Sequence, residues 1–178
     1  MNMLKLAYRL ERISRWDEAW CIRFSRLGGM ALVNPTFRLI SYLGDGVIWY
    51  ALMLGLLVSE GSRAVPAVIH MVVVGLCCSI LYKWLKGKTS RPRPYRHNPE
   101  VNCGVAPLDQ FSFPSGHTLH AVAFSVVAVC YYPPLGYVLW PFTGLVSASR
   151  MVLGLHYPSD VLAGALIGAT LAAVSFSL

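Results

Sequence analysis

Long apolar runs alternate with short polar connections along most of the chain. Four of these runs are nearly free of charge. Asp45 is the one acidic residue in the first, and Pro133-Pro134 divides the third. A helix needs about 20 apolar residues to cross a bilayer. The pattern therefore predicts an all-α integral membrane protein, a helical bundle with five transmembrane helices at residues 36–59, 64–83, 115–132, 135–153 and 158–178.

The first 28 residues follow a different pattern. Apolar residues recur there at steps of three and four, from Met3 to Leu27, which is one face of a helix. The opposite face carries Lys5, Arg9, Glu11, Arg12, Arg15, Asp17, Glu18, Arg23 and Arg26. So many charges are costly inside lipid, whereas an amphipathic helix at the interface accommodates them. We therefore predict an interfacial helix at 1–28 and a single transmembrane domain at 29–178. The alternatives, a sixth span at 5–26 or a signal peptide, fit less well.

Composition and charge narrow the class of partner. The chain is 56% hydrophobic and 13% charged, with a mean hydropathy of +0.54 and a net charge of +7. Excess positive charge favours an anionic partner such as a lipid headgroup, a phosphate or a nucleic acid. We exclude nucleic acid because the apolar runs leave no soluble basic domain. The five cysteines show neither a disulfide framework nor zinc-ligand spacing, so we interpret them as packing residues.

Three polar groups fall at the ends of predicted spans. The connection 84–117 is rich in proline and cations, and five spans would place it on the same side as the connection 149–160. These two connections carry, in chain order, Lys86 and Arg93, then Ser115-Gly116-His117, then Arg150, His156 and Asp160. Two cationic clusters and two histidines on one side of the membrane suit a bound phosphate.

Each group also has a purely structural interpretation. Lys86 and Arg93 could be anchors on the cytoplasmic side, and Asp160 a stabilising charge at a helix N-terminus. The start of the helix at Ser115 also offers free N–H groups for a phosphate, and Gly116 permits close approach. A carboxylate at Asp160 could fix the tautomer of His156 and leave its other nitrogen free to attack.

Three further ionisable residues lie inside the apolar runs. His120 is one turn from His117, so a zinc site with His156 and Asp160 is an alternative. Asp45 and His70 are functional hypotheses because ionisable residues are rare in spans, but the sequence assigns them no task.

The three groups resemble the signature of the type 2 phosphatidic acid phosphatase superfamily. The motifs are KGKTSRPRP at 86–94, PSGH at 114–117 and SRMVLGLHYPSD at 149–160. The resemblance implies that His156 is a nucleophile forming phosphohistidine, that Asp160 orients it, and that His117 is the general acid and then the base. It also implies a metal-independent site with no cofactor, in which the phosphate is held by Lys86, Arg93, Ser115, Gly116 and Arg150.

The expected function is hydrolysis of a lipid phosphomonoester or pyrophosphate, such as undecaprenyl pyrophosphate, phosphatidylglycerol phosphate, phosphatidic acid or lipid A. The alternatives are a lipid phosphotransferase using the same site, a metal-dependent membrane hydrolase, and a non-enzymatic binder of anionic lipids. We expect the bilayer and a phospholipid or polyprenyl phosphate as partners, with no obligate protein partner. The resemblance implies a bacterial inner membrane and a periplasmic site, although the basic N-terminal helix favours the cytoplasmic side.

Overall fold

The computed structural model describes residues 3–107 and 109–177, and only the backbone of 3–10. The ends of the predicted ranges 1–28 and 158–178, and the side chains of Met3, Lys5 and Arg9, lie outside the described residues. The α-helices of the described chain are α1 Met3–Gly28, α2 Val33–Tyr42, α3 Ile48–Glu60, α4 Val65–Thr89, α5 Pro94–His97, α6 Gly116–Tyr131, α7 Gly136–Val152 and α8 Pro158–Ser175.

The predicted all-α class is confirmed, and apolar helices lie within each of the five predicted stretches. The continuous stretch Val33–Thr89 and helix α8 are both long and apolar enough to cross a membrane. Large apolar side chains on the outside of the bundle stay exposed, which a lipid environment tolerates and water does not. They include Leu54, Val58, Ile69, Ile80, Leu162 and Leu166.

The first predicted span is bent. A kink at Leu43–Val47 joins α2 to α3: Asp45 and Gly46 leave helical φ/ψ there, and Gly46 has φ 119°, a conformation that favours glycine. The kink places Asp45 on the inner side of the bend. The charge that interrupts the first apolar run therefore lines a cavity of the protein, with its side chain 45% exposed.

Helix α6 is the centre of the bundle and packs against α4, α7 and α8. Its contact with α8 is close because Gly164 and Gly168 face it. A Cβ atom at Gly168 would lie 2.3 Å from the Leu119 carbonyl oxygen, and one at Gly164 would lie 2.6 Å from that of Ser115. Small residues four apart allow two membrane helices to approach this closely. The main chain of α6 is thereby fixed against α8.

One end of the bundle collects the three motifs. Helices α4 and α7 end there, and α6 and α8 begin there. The loop between α4 and α6 folds over this end, with an isolated bridge between Pro92 and Phe111. The C-terminal half of α1 also contacts this end: Ser25 accepts a hydrogen bond from the Asn102 N–H, and Gly28 packs against Val152.

Candidate active site

A cavity of about 800 Å³ lies between α4, α6 and the bent helix formed by α2 and α3, beneath the loop that joins α4 to α6. Six of the eight residues predicted from the sequence line it: Lys86, Arg93, Gly116, His117, Arg150 and His156. The other two, Ser115 and Asp160, are fully buried behind this wall. The sequence-predicted groups are therefore brought together, with two of them one layer away from the cavity.

His156 is held in a tight turn between α7 and α8. The N–H groups of Leu155 and His156 both donate to the Arg150 carbonyl, and Gly154 has φ 70°. The His156 side chain is 2% exposed, and its Nδ1–H donates to the Ser112 carbonyl at 2.6 Å. Burial lowers the pKa of His156 well below its usual value, and the nearby Arg93 lowers it further. The imidazole is therefore neutral, with its lone pair on Nε2.

The Nε2 atom of His156 faces Arg93, whose guanidinium N–H donates to it. It lies 3.3 Å from Nη1 of Arg93, which also donates to the Leu155 carbonyl at 3.0 Å. A nucleophile next to a fixed guanidinium is well placed to meet an anionic phosphorus centre, because the cation offsets repulsion between the lone pair and the phosphate oxygens.

Asp160 does not make the hydrogen bond to His156 that the sequence suggested. Its Oδ2 lies 3.8 Å from Nδ1 of His156, beyond hydrogen-bond distance. It accepts instead from the Tyr157 N–H at 2.9 Å and from Nη1 of Arg91 at 2.6 Å. Asp160 therefore braces the turn that carries His156, and the Ser112 carbonyl orients the ring. A main-chain acceptor has no signature in the sequence, so this role of Ser112 was missed.

Lys86 and Arg93 share one carboxylate. Nζ of Lys86 lies 2.5 Å from Oδ2 of Asp109, and Nη2 of Arg93 lies 2.8 Å from Oδ1. Burial alone would raise the pKa of Asp109, but the hydrogen bond and charge of Lys86, with those of Arg93, bring it below its usual value. The ionised carboxylate thus spans two cations where a phosphate could bind. Asp109 belongs to none of the three motifs, and the sequence did not indicate it.

Arg150 enters the cavity from the last turn of α7. It is 4% exposed, and its Nη1 lies 2.5 Å from the hydroxyl oxygen of Ser41 on α2. Its buried Nε–H has no partner among the residues that the structure describes. A buried donor without a partner is uncommon and calls for a ligand or water. Arg150 therefore has donor capacity in reserve for an anion, and Ser41 is a second residue that sequence reasoning missed.

His117 stands at the first turn of α6, where N–H groups are left free by the helix start. Its Nε2 lies 3.2 Å from Oδ1 of Asp45, in the kink between α2 and α3. Asp45, to which the sequence assigned no task, is therefore a neighbour of His117. Ser115, one residue before the helix, has its hydroxyl 3.0 Å from that of Thr118. Its N–H donates to the Asp160 carbonyl, which joins the second and third motifs.

The two remaining histidines are engaged elsewhere. His120 contacts the Ser79 hydroxyl at 3.1 Å and the Gly116 carbonyl at 2.9 Å, instead of turning toward His156. His70 lies 2.7 Å from the Ser175 hydroxyl, at the opposite end of the bundle from the motifs. Neither side chain contacts the nucleophile candidate.

Arg91 fastens α1 to the site. Its guanidinium lies 2.8 Å from Asp17 on α1 and 2.6 Å from Asp160 on α8. Asp17 is fully buried and also accepts from the Ser159 N–H at 2.9 Å. Burial alone would lower the pKa of Arg91, but these two carboxylates raise it. One charged residue of α1, Asp17, thus helps to hold the third motif in position through Arg91 and Ser159.

These features define a membrane-embedded lipid phosphatase: an apolar helical bundle with a cation-lined cavity and two histidines at the end of its spans. The chain belongs to the PAP2 superfamily, whose family model matches residues 63–178.

Three comparisons agree with this membership. The bacitracin transport permease protein BcrC of Bacillus licheniformis is 30% identical over 141 residues, covering 78% of this chain and 68% of BcrC. An undecaprenyl-diphosphatase of Sulfolobus acidocaldarius is 28% identical over 151 residues, covering 84% and 72%. The solved structure of a PAP2-type phosphatidylglycerolphosphate phosphatase from Bacillus subtilis matches with a TM-score of 0.75 at 25% identity, covering 93% of this chain and 85% of that one.

Proposed function

We propose that this protein hydrolyses the terminal phosphate of a membrane lipid through a phosphohistidine on His156. One observation carries the proposal: Nδ1–H of His156 donates to the Ser112 carbonyl, so the lone pair lies on Nε2, beside the Arg93 guanidinium on the cavity wall. That arrangement is what a nitrogen nucleophile needs to attack phosphorus.

The reaction has two steps. Nε2 of His156 forms a bond to phosphorus while the bond from phosphorus to the lipid oxygen breaks, and His117 gives a proton to that oxygen. His117 then takes a proton from water, which attacks phosphorus, breaks the N–P bond and releases inorganic phosphate. Arg93, Arg150 and Lys86 offset the charge on the equatorial oxygens, which is most of what phosphoryl transfer requires. We assign no metal or cofactor to either step.

The walls of the cavity support a lipid as the substrate. Away from the motifs the lining becomes apolar, with Trp49, Met53, Val72, Leu76 and Phe124 on the α3, α4 and α6 walls. A headgroup can thus reach the cations while its tails remain among apolar side chains. Relatives named for undecaprenyl diphosphate and for phosphatidylglycerol phosphate make both lipids candidates for this chain.

The placement in the membrane is also part of the proposal. Helix α1 contacts the motif-bearing end through Asp17, Ser25 and Gly28, which span about 17 Å along a helix. A helix that contacts one end of a bundle over such a length runs across it, which suits a position in the headgroup plane. We place 29–178 in a bacterial inner membrane as one domain, with its site toward the periplasm.

The test is phosphate release by purified protein from a panel of lipid mono- and diphosphates, with a chelator present. We expect release that vanadate inhibits and that the His156→Ala variant lacks. Release abolished by the chelator would support a metal-dependent hydrolase instead. Transfer of the phosphate to a second lipid would indicate a phosphotransferase, and binding without turnover a non-enzymatic lipid binder.

A further inference from the structure

One face of α1 packs on the turn that carries His156. Asp17, Cys21 and Ser25 are buried and lie four residues apart, which places them on one side of the helix. The thiol of Cys21 donates to the His156 carbonyl, with 3.7 Å between sulfur and oxygen. The family model matches only residues 63–178, so this helix lies outside the part of the chain that defines the family.

Asp17 brings a charge onto this buried face. Its carboxylate accepts from Nη2 of Arg91 at 2.8 Å, from the Ser159 N–H at 2.9 Å and from the Ser159 hydroxyl. Burial of an ionised carboxylate is costly unless it is paired and hydrogen-bonded, as Asp17 is. Well-packed apolar residues often stabilise such a position at least as well as a buried ion pair does. Stability alone therefore does not explain the charge.

Arg91 lies between two carboxylates. Its guanidinium is 2.8 Å from Asp17 and 2.6 Å from Asp160, and both carboxylates are fully buried. A pair of Arg91 with Asp160 alone would be neutral, whereas the three groups together carry a net charge of −1. Oδ2 of Asp160 lies 3.8 Å from Nδ1 of His156. A net negative charge is therefore present on the side of the imidazole that faces away from Arg93.

The proposed attack makes the imidazole positive. Nε2 of His156 gives its lone pair to phosphorus, while Nδ1 keeps the proton that it donates to the Ser112 carbonyl. The product is a phosphorylated imidazolium. Its charge forms beside the Arg93 guanidinium, whose Nη1 lies 3.3 Å from Nε2 and repels it. A fixed anion on the opposite side of the ring offsets this repulsion, and its effect is large in a buried site.

We propose that Asp17 is a positioning residue for the nucleophile: it binds Arg91 and thereby leaves Asp160 with a negative charge that stabilises the imidazolium of phosphohistidine. The inference rests on the proposed function and adds a residue of α1 to it. The bond changes are those of the first step: the N–P bond forms, the P–O bond breaks, and the lipid oxygen takes its proton from His117. Asp17 is buried behind the turn, so it acts without touching the substrate.

The test is the Asp17→Asn variant, which removes the charge and keeps the size of the side chain. Both kcat and KM are measured for phosphate release from one lipid phosphate. Glu18→Gln is the matched control for charge, because Glu18 is the next residue of α1 and accepts from the Asn98 amide at 2.9 Å. Ser25→Ala is the control for docking of α1, because it removes the contact with the Asn102 N–H without a change of charge.

We expect kcat of Asp17→Asn to fall about tenfold, with KM within about twofold of its original value. Loss of a group that directly contacts the developing charge costs roughly 100- to 1,000-fold, and Asp17 acts through one intervening residue. Both controls should leave kcat and KM unchanged.

A double variant separates the charge of Asp17 from its contacts. Asp17→Asn combined with Arg91→Gln removes one charge of each sign and leaves Asp160 with the net charge of −1. Its kcat should recover to within about threefold of the unsubstituted protein. If Asp17 only held α1 in place, loss of both partners would be at least as damaging as loss of one.

Three results would overturn the inference: unchanged kcat in Asp17→Asn, an equal loss of kcat in Ser25→Ala, or a double variant no faster than Asp17→Asn. Failure of the proposed function gives a different result. It would appear as no phosphate release by the unsubstituted protein, or as release that persists in His156→Ala, whatever residue occupies position 17.

Discussion

In the proposed function a phosphate takes the place of the Asp109 carboxylate between Lys86 and Arg93, so removing the charge of Asp109 should tighten the binding of phosphate analogues. In the structure its carboxylate lies 2.5 Å from Lys86 and 2.8 Å from Arg93, and an incoming phosphate must replace it on both cations. A hydrogen bond to a charged group contributes about 1.5–3 kcal/mol when buried. The Asp109 side chain is 36% exposed, so we discount each contact to about 1 kcal/mol. Displacing both contacts then costs about 2 kcal/mol.

The perturbation is Asp109→Asn, which keeps the shape of the side chain and removes its charge. About 2 kcal/mol corresponds to roughly a 30-fold change in an equilibrium constant. The inhibition constant of vanadate should therefore fall by about 10- to 30-fold, measured from phosphate release over a range of vanadate concentrations. The matched control is Glu100→Gln, in the same loop: within the described residues its carboxylate pairs with the exposed Arg26 at 3.7 Å, away from Lys86 and Arg93, so this variant should leave the constant unchanged.

The lowered pKa of Asp109 adds a pH signature. The pKa of Asp109 is lower in the folded protein than in the unfolded chain. Such a carboxylate stabilises the folded state at pH values above its pKa in the unfolded chain, and this stabilisation is lost as the pH falls through its pKa in the folded protein. Asp109 therefore stays ionised from pH 5 to 8, and the gap between the variant and the wild-type protein should be constant over that range. Weaker or unchanged vanadate inhibition in Asp109→Asn would refute the reasoning, because it would mean that the carboxylate helps to hold the ligand.

Four further predictions concern the nucleophile, a phosphate-binding lysine, the partner of the acid and the packing. His156→Ala should abolish phosphate release and labelling of the protein by a radioactive lipid phosphate, whereas Lys86→Ala should retain about a hundredth to a thousandth of kcat. Asp45→Ala should lower kcat about tenfold through loss of the contact with His117, and Asp45→Asn less, because an amide oxygen still accepts a hydrogen bond. Gly168→Ala should lower the melting temperature by several degrees, measured in detergent, because its Cβ would meet the Leu119 carbonyl.

Two of these predictions have an outcome that would contradict them, and the prediction for Gly168 has a control variant. Labelled phosphoprotein in the His156→Ala variant would contradict the assignment of the nucleophile. Equal rates for Asp45→Ala and the wild-type protein would show that His117 needs no partner on α2–α3. Gly144→Ala is the comparison for Gly168→Ala, since a Cβ at Gly144 has no neighbour within 4 Å and should leave the melting temperature unchanged.

The helical class and the spans could be predicted because polarity along the chain reports directly on burial in lipid. The last span begins at Pro158, as the sequence predicts, because proline suits the first turn of a helix. The kink at Gly46 was not predicted from Gly44-Asp45-Gly46, because glycines are also tolerated inside membrane helices. Its conformation is set by the contacts around it.

The motif residues could be located in the sequence, but not their partners. Lys86, Arg93 and Arg150 carry motif spacing, whereas Asp109 and Ser41 reach them only through the fold of a loop and the approach of α2. The role of the Ser112 carbonyl illustrates the same limit, because every residue has a carbonyl and only the tertiary structure decides which imidazole it meets.

The junction of α6 with α8 is made by main-chain atoms, through the Ser115 N–H and the two glycines of α8, and so does not depend on any reactive side chain. An inactive variant should for that reason retain the fold. The His156→Ala variant, purified from native membranes, should then keep its uncleaved lipid bound. Mass spectrometry of the lipid extract would identify the substrate in the cell.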